Sequence, residues 1–259
     1  MAKANNNANN IKHIKLLEVV PNCPDDKANY LIGGIDEAGC GTLACDVYAS
    51  CVVLPYDIGS HVDVDEASLK KIRYIKDSKK LSAKKREEIA EYIKSVAIAW
   101  GIGSASVEEV DKHNILNARI MAMHRAVKDA MSRCGRTIDE LIVDGTVFKP
   151  FYVNDELGWI PFTCYENGDS TYMSIAAASI LAKTAHDAHV RELVAKDLSL
   201  DTKYGWLSNM CYGTKRHLDG IKEHGITEYH RRTFKPVANK MMMMKKVNEG
   251  NEGNEKNEK

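Results

Sequence analysis

The feature that most restricts the fold of this chain is a pair of adjacent carboxylates, Asp36 and Glu37, inside an otherwise apolar stretch. The stretch runs from Gly33 to Pro55, and its composition predicts β-strands over Gly33–Asp36 and Ala49–Leu54. Consecutive side chains of a strand point to opposite faces of a sheet. Both acids can therefore reach one site only if the first strand ends or bulges beside them.

Two glycines after the acid pair, Gly39 and Gly41, are consistent with such a bend. Glycine adopts turn conformations easily, and without a Cβ it allows a ligand to approach the backbone closely. Taken alone, the acid pair has a second interpretation, because Asp and Gly are also frequent in ordinary solvated turns. The rest of the chain has to decide between a functional site and a solvated hairpin.

Composition sets limits on the function. The 36 basic residues balance 36 acidic ones over 259 residues, so any nucleic-acid partner must be held by a local basic patch. No apolar run is long enough to cross a bilayer and the Asn-rich start contains no signal peptide, so we expect a cytoplasmic protein without a membrane partner. Seven cysteines without a Cys-x-x-Cys pair indicate reduced thiols rather than a disulfide framework or a zinc site.

The two ends of the chain differ from its middle. Residues 1–10 and 245–259 are rich in Asn, Lys, Glu and Gly and lack the apolar residues that would offset the entropy cost of ordering. We therefore expect a partly disordered N-terminal extension over 1–29, one domain over 30–240 and a disordered tail over 241–259. No repeat or linker divides the middle.

Periodicity predicts an alternation of strands and helices after the acid pair. Ser82 and a Ser106–Glu109 capping box open helices, and Gly135 closes the second one. The remaining predicted elements are strands over Val96–Gly103 and Glu140–Val143, a loop or hairpin over Phe151–Tyr165, and helices over Thr171–Ala195 and Lys215–Gly225. This alternation predicts an α/β fold.

Four acids stand at the ends of predicted elements rather than in surface charge runs: Asp36, Glu37, Asp144 and Asp169. A solvated strand end explains Asp144 alone, and a helix cap explains Asp169 alone. Together they form a set of oxygen ligands that suits Mg²⁺ or Mn²⁺. Two such ions about 4 Å apart can activate a water molecule and stabilise the leaving oxygen of a phosphodiester.

Six motifs of this sequence, in order and spacing, resemble those of ribonuclease HII, a type 2 ribonuclease H. They are GIDEAG-x-G-x-LA, DSKKLSAKKRE, NILNARIMAMHRAV, LIVDG, GD followed by SIAAASILAK, and YGT-x-x-H followed by HRRTF-x-P, together covering about residues 32–237. The resemblance implies a ribonuclease H-like fold, which is a mixed five-stranded sheet flanked by helices with a helical C-terminal extension. It also implies an endonuclease, expected as a monomer, that cuts the RNA strand of RNA–DNA hybrids and cuts 5′ of ribonucleotides embedded in duplex DNA. Such cleavage leaves a 3′-hydroxyl and a 5′-phosphate.

The resemblance also implies roles for individual residues. Asp36, Glu37, Asp144 and Asp169 match the metal-binding acids of the family. The other matching residues are expected to contact the substrate: the backbone of Gly39, Cys40 and Gly41 at the 2′-hydroxyl, Tyr212 stacked on a sugar, and Lys79, Lys80 and Lys183 along the phosphate backbone. On charge alone, Lys79 and Lys80 would be interpreted as an ordinary solvated loop.

This sequence departs from the family pattern at several positions. Cys40 replaces an arginine between two glycines, and a thiol cannot substitute for a guanidinium at a phosphate. Cys45, Asp46 and Cys211 stand where glycine, proline and glycine are usual, and His186 replaces an arginine. If Cys40 and Cys211 both border the cleft, they invite redox control, although reduced thiols are the expectation for an intracellular chain.

Two alternatives follow from these departures. One is a hybrid-binding protein that has lost catalytic activity, which the intact set of four acids argues against. The other is the sister enzyme ribonuclease HIII, whose N-terminal substrate-binding domain needs more than the thirty or so residues that precede the first predicted strand.

Overall fold

A computed structural model describes residues 30–55, 70–72, 74–75 and 81–243 of the chain. Its main sheet has five strands in the order β3-β2-β1-β4-β7. These strands are β1 (Ile32–Ala38), β2 (Val47–Val53), β3 (Ala99–Ala105), β4 (Glu140–Asp144) and β7 (Phe162–Tyr165). Strand β1 pairs antiparallel with β2 and parallel with β4, so the sheet is mixed, as predicted.

Helices cover both faces of this sheet, one helix on one face and two on the other. The helix α1 (Ala83–Val96) begins at the predicted N-cap Ser82. The helix α2 (Val107–Cys134) carries the predicted capping box and ends at Gly135, which adopts the left-handed conformation. It packs chiefly on β3 and β2, while α3 (Met173–Lys196) packs on the other face of β1 and β2, beside α1.

Helix α2 is interrupted at Asn114, whose backbone leaves the helical region with φ 64° and ψ 163°. The Asn114 side chain then accepts a hydrogen bond from the backbone N–H of Asn117 at 3.1 Å, as an N-cap does. A new helical segment therefore begins there. Its first turns place Arg119 beside Glu37 of β1.

The close approach of α3 to β1 depends on Gly34. A Cβ at this position would lie 2.3 Å from the backbone carbon of Ser174, inside the van der Waals contact distance. The first half of α3 is built from small and apolar residues, and Ala176, Ala177 and Ala178 are fully buried. Helix and strand therefore touch through their backbones, which fixes the height of α3 along the strand that carries Asp36.

Several predicted boundaries differ from the structure, and the first two strands extend beyond their predicted starts. Strand β3 starts at Ala99 rather than Val96, because Val96 ends α1. Helix α3 starts at Met173, after a short 3₁₀ helix at Gly168–Ser170. The segment Phe151–Tyr165 contains the hairpin β5 (Phe151–Asn154) and β6 (Gly158–Ile160), and its last part becomes the fifth strand of the sheet, β7.

A helical C-terminal extension follows the sheet, as predicted. It contains α4 (Ser199–Tyr204), α5 (Trp206–Asn209), α6 (Lys215–His224) and helical residues 235–243. Its core joins side chains of the extension to the end of α3 and to the loop after β1. No helix of the described residues is long and apolar enough to span a membrane.

Candidate active site

Strand β1 runs straight through the acid pair. Its register with β2 is unbroken at Asp36, Glu37 and Ala38, so the predicted end or bulge at this point was wrong. The two side chains therefore leave opposite faces of the sheet, as alternation requires. Asp36 lies on the face covered by α3, and Glu37 extends toward Arg119 of α2.

Asp36 meets two further acids on its own face. Strand β4 runs parallel beside β1 and ends at Asp144, and the carboxylates of Asp36 and Asp144 repel each other. The backbone N–H of Asp169 points at Asp144 Oδ1 from 3.4 Å. We call Asp36, Asp144 and Asp169 the acid cluster. It lies at the carboxyl ends of two parallel strands, where ligands commonly bind in open α/β sheets.

The acid cluster is electrostatically unbalanced. Asp36 is 6% exposed, and burial raises the pKa of its carboxyl group well above the usual range, with further contributions from the charges of Glu37 and Asp144. A hydrogen bond from the Ser179 hydroxyl group of α3 opposes this shift of the pKa. A buried carboxyl group with a raised pKa near two other acids is typical of a site that accepts a positive charge.

Glu37 is held on the other face of β1. Its Oε1 accepts hydrogen bonds from Arg119 Nη1 at 2.9 Å and from the Cys40 thiol at 3.6 Å. Its Oε2 is buried without a hydrogen-bond partner, and so is Arg119 Nε. The Glu37 carboxylate therefore has one oxygen fixed and one oxygen available to a ligand.

These donors suit a hard divalent cation in their chemistry, since all of them are carboxylate oxygens and one is an orphaned buried atom. Within the part of the chain that the structure describes, no three Asp, Glu, His or Cys side chains already have the spacing of a complete metal site. Closing such a site therefore requires rotation of side chains such as Glu37 toward the acid cluster.

The loop after β1 requires glycine at its first position. Gly39 has φ +87°, and a Cβ there would lie 2.5 Å from the ring of His186 on α3. Its carbonyl oxygen accepts a hydrogen bond from the Thr42 hydroxyl group at 2.9 Å, which closes the turn. The backbone of residues 39–41 is thus fixed before any ligand binds.

A buried guanidinium group holds this loop from behind. Arg231 is fully buried and donates to the carbonyl oxygens of Cys40, Thr42 and Cys45 at 2.9–3.1 Å. We call Arg231 and these three carbonyl groups the loop clasp. It ties the loop after β1 to the C-terminal extension.

Tyr212 lies across from the same loop. Thr42 and Tyr212 form an isolated antiparallel bridge, and a Cβ on Gly41 would lie 3.8 Å from the Tyr212 ring. The Tyr212 side chain is 39% exposed, and Lys183 Nζ lies 5.3 Å from the centre of its ring. Lys183 also forms an ion pair with Asp187 at 2.8 Å.

Glu37 and Tyr212 face one cleft. A cavity of about 310 Å³ lies between them, and Arg86, Ser179 and Lys183 are among its other lining residues. Of the predicted site residues, Glu37, Lys183 and Tyr212 therefore line this cavity, and Asp36 is joined to it by the hydrogen bond from Ser179. Asp144, Asp169 and the loop of residues 39–41 are not among its lining residues. Lys79 and Lys80 lie outside the described residues.

The sequence comparison decides the family. A family model described as ribonuclease HII matches residues 33–237. This chain belongs to the ribonuclease HII family. Curated ribonuclease HII proteins are similar over most of their lengths: that of Parabacteroides distasonis is 43% identical over 78% of this chain and 88% of its own, and that of Neisseria gonorrhoeae is 38% identical over 81% and 94%.

Solved structures support the fold of this family member. The ribonuclease H2 of Pyrococcus horikoshii superposes with a TM-score of 0.62 at 19% identity, over 83% of this chain and 99% of that one. The ribonuclease HII of Archaeoglobus fulgidus, solved in a complex with PCNA, gives 0.57 at 24% identity, over 81% and 96%. Bst-RNase HIII in complex with Mn²⁺ gives 0.55 at 16% identity, over 84% and 71%.

Sequence reasoning missed three residues of this site. Arg119 has no local signal, since it lies on a helix face like many exposed arginines. Ser179 is one of several small residues of α3, and only the register of helix and strand places it at Asp36. Arg231 lies in the HRRTF motif, but nothing in that motif shows that its first arginine is buried and the second exposed.

The sequence left open whether Cys40 and Cys211 both border the cleft. Cys211 does not border the cleft, since it is fully buried and its Sγ lies 3.1 Å from the Sγ of Cys45. Cys40 is half-buried beside Glu37, and burial raises the pKa of its thiol to about 12, with the charge of Glu37 contributing. Cys40 and Cys211 therefore have different surroundings, and the condition for joint redox control of the cleft is not met.

Proposed function

We propose that this chain is an endoribonuclease that cuts the RNA strand of RNA–DNA hybrids and cuts 5′ of single ribonucleotides embedded in duplex DNA. The observation that carries the proposal is that the acid cluster, Glu37 and the glycine loop all adjoin strand β1, beside the cleft that Glu37 and Tyr212 line, in a chain of the ribonuclease HII family. Acids alone would suit many hydrolases. The adjacent loop supplies a way to select a 2′-hydroxyl, which distinguishes RNA from DNA.

The acids have the role of holding two divalent ions, Mg²⁺ or Mn²⁺. Asp36, Asp144 and Asp169 would supply ligands from one face, and the buried Oε2 of Glu37 would supply a ligand from the other. When bound, such ions activate a water molecule and stabilise the leaving 3′-oxygen of the phosphodiester. The Ser179 hydroxyl group orients Asp36, and Arg119 limits the rotation of Glu37.

The glycine loop and Tyr212 have the role of positioning the ribonucleotide. The loop clasp keeps the backbone of Gly39, Cys40 and Gly41 in one conformation, so little entropy is lost when a sugar binds against it. The partly exposed ring of Tyr212 offers an apolar face to that sugar. Lys183, with Lys79 and Lys80, would contact phosphates, which supplies affinity without sequence preference.

Three labelled duplexes test the proposal: one with a single embedded ribonucleotide, one RNA–DNA hybrid and one of DNA only. We expect cleavage of the first two with Mg²⁺ or Mn²⁺, none with chelator, and products with 3′-hydroxyl and 5′-phosphate ends. Asp144→Asn is the matched control for contaminating nuclease. Binding of the hybrid without any cleavage would instead support a protein that has lost activity.

The proposed enzyme is a monomer whose catalytic domain spans residues 30–240. Light scattering coupled to size-exclusion chromatography should give the mass of one chain, 28.9 kDa. A chain shortened to residues 30–240 should keep the cleavage rate of the full chain. A stable dimer, or loss of activity on shortening, would contradict these two assignments.

A further inference from the structure

The side chains of Cys45 and Cys211 meet in the core that joins the loop after β1 to the C-terminal extension. Their Sγ atoms are 3.1 Å apart, and the residues are 166 positions apart in the chain. Both are thiols, and both side chains are buried. A disulfide needs an S–S distance of about 2.05 Å, so the two sulfurs would have to approach by only about 1 Å.

The backbone at both cysteines is also unusual. Cys45 has φ +71° and Cys211 has φ +64°, in the left-handed region that residues with a Cβ rarely adopt. Besides glycine, asparagine is the residue that most often tolerates this backbone conformation. Among the described residues, the other non-glycine positions with positive φ are Asn114, Asn167 and Met210. The chain thus has cysteine at two strained positions that face each other.

The backbones around the pair are already joined. The backbone N–H of Leu43 donates to the carbonyl oxygen of Cys211 at 2.8 Å, and Cys45 N–H donates to that of Tyr229 at 2.9 Å. Arg231 bonds the Cys45 carbonyl oxygen from the same extension. These contacts hold the sulfur-bearing segments in register, so bond formation needs no rearrangement of the fold.

We propose that Cys45 and Cys211 are a disulfide-forming pair that an oxidant of the peroxide class converts into a covalent link between the loop after β1 and the extension. One thiolate attacks the peroxide oxygen, which gives a sulfenic acid and releases one water. The second thiol then attacks the sulfenic sulfur, the S–S bond forms and a second water leaves. Two electrons pass from the sulfurs to the peroxide.

Burial makes this reaction slow rather than impossible. It raises the pKa of the Cys211 thiol, with Cys45 contributing, so the reactive thiolate forms when the region opens locally. The link then closes a loop of 166 positions. Because it restricts the unfolded chain over such a length, the oxidised protein should melt roughly 5–10 °C higher than the reduced one.

The test uses the full reduced chain treated with hydrogen peroxide, then blocked with N-ethylmaleimide under denaturing conditions. We expect a loss of two hydrogens in the intact mass, a cross-linked peptide that contains Cys45 and Cys211, and the rise in melting temperature, all reversed by dithiothreitol. Cys45→Gly and Cys211→Gly should fold, since glycine suits both backbones, and should lose all three effects. Cys51→Ala, which removes another fully buried cysteine, should keep them.

Two results would overturn the inference. One is oxidation of other thiols while Cys45 and Cys211 are both recovered with the maleimide label. The other is an unchanged melting temperature when the cross-linked peptide is present. All readouts are independent of cleavage, so the inference does not rest on the proposed function.

Discussion

The acid cluster and the loop clasp adjoin the same strand, yet they are stabilised in opposite ways. The acid cluster brings together Asp36, Asp144 and Asp169, and burial together with the charges of Glu37 and Asp144 disfavours the ionised carboxylate of Asp36. The loop clasp surrounds one buried cation, Arg231, with three carbonyl oxygens. The first arrangement opposes folding, and the second supports it.

This difference reflects two separate requirements of the site, which are metal binding and rigid recognition of a substrate. The acid cluster has unused capacity to bind positive charge, which is what a metal-dependent site needs before its metal arrives. The loop clasp uses Nε and Nη1 of Arg231 to fix the loop and leaves Nη2 buried without a partner. Fixing of this kind is what a rigid recognition surface needs. Substitutions in the two regions should therefore separate activity from stability.

The largest effect is expected from the acid cluster. Asp36→Asn removes a metal ligand, and we expect the cleavage rate to fall by at least about 10³-fold, which corresponds to roughly 4 kcal/mol. The free energy of unfolding should stay the same or rise by about 1 kcal/mol, because a repelled buried charge is removed. Single-turnover cleavage and urea unfolding of the same preparation measure both. Asp219→Asn, at an acid of α6 whose side chain is 46% exposed, is the control.

The loop clasp should show the opposite pattern. Arg231→Met leaves three buried carbonyl groups without their donor, and we expect a loss of about 3–5 kcal/mol in the free energy of unfolding. Arg232→Met, at the exposed neighbour, should change it by less than about 0.5 kcal/mol. A stable Arg231→Met variant would contradict the role of the loop clasp.

Cys40 lies between the two regions, since its thiol contacts Glu37 and its carbonyl group belongs to the loop clasp. If a guanidinium group at this position holds a phosphate, Cys40→Arg should raise the specificity constant on a single embedded ribonucleotide by about 10- to 100-fold. Long hybrids should gain less, because they offer several equivalent registers.

The slope of binding against salt should also steepen in Cys40→Arg by about one phosphate contact. Arg119 is the other candidate for this phosphate contact, since it already places a guanidinium group beside Glu37. The control is Arg119→Lys in both backgrounds. An unchanged ratio of the two specificity constants, with an unchanged salt slope, would show that Cys40 is a neutral replacement.

The smallest effect concerns pH. The pKa of Asp36 is raised in the folded protein, so its contribution to stability is complete below the unfolded pKa and is lost as pH rises through the folded pKa. With chelator present, the wild type should lose at least about 1 kcal/mol relative to Asp36→Asn between acidic and mildly alkaline pH. Adding Mg²⁺ at the higher pH should restore the difference. If the free energies of unfolding of the wild type and of Asp36→Asn differ by the same amount at all pH values, the pKa of Asp36 is not raised in the folded protein.

The sequence was sufficient for the parts of this molecule that depend on local chemistry. Helix ends followed from Ser82, Ser106 and Gly135, and the mixed sheet with its helical extension followed from the resemblance to a family. The straight path of β1 through Glu37 was not predictable, because it depends on pairing with a strand that follows later in the chain.

The residues that contact the acids and the loop carbonyl groups were not predictable from the sequence either. Arg119, Ser179 and Arg231 lie 82 to 191 positions away in the chain from the acids and carbonyl groups that they contact. Tertiary packing decides such contacts, and one sequence contains no record of them. The same applies to the meeting of Cys45 with Cys211.

The contact of Gly34 with the backbone of α3 has a consequence for how such a protein can diverge. Any side chain at position 34 collides with main-chain atoms of Ser174 and Ile175, which no substitution in the helix can remove. A single change at Gly34 would therefore have to shift the whole helix, and with it Ser179. At this contact the strand and the helix can therefore change only together.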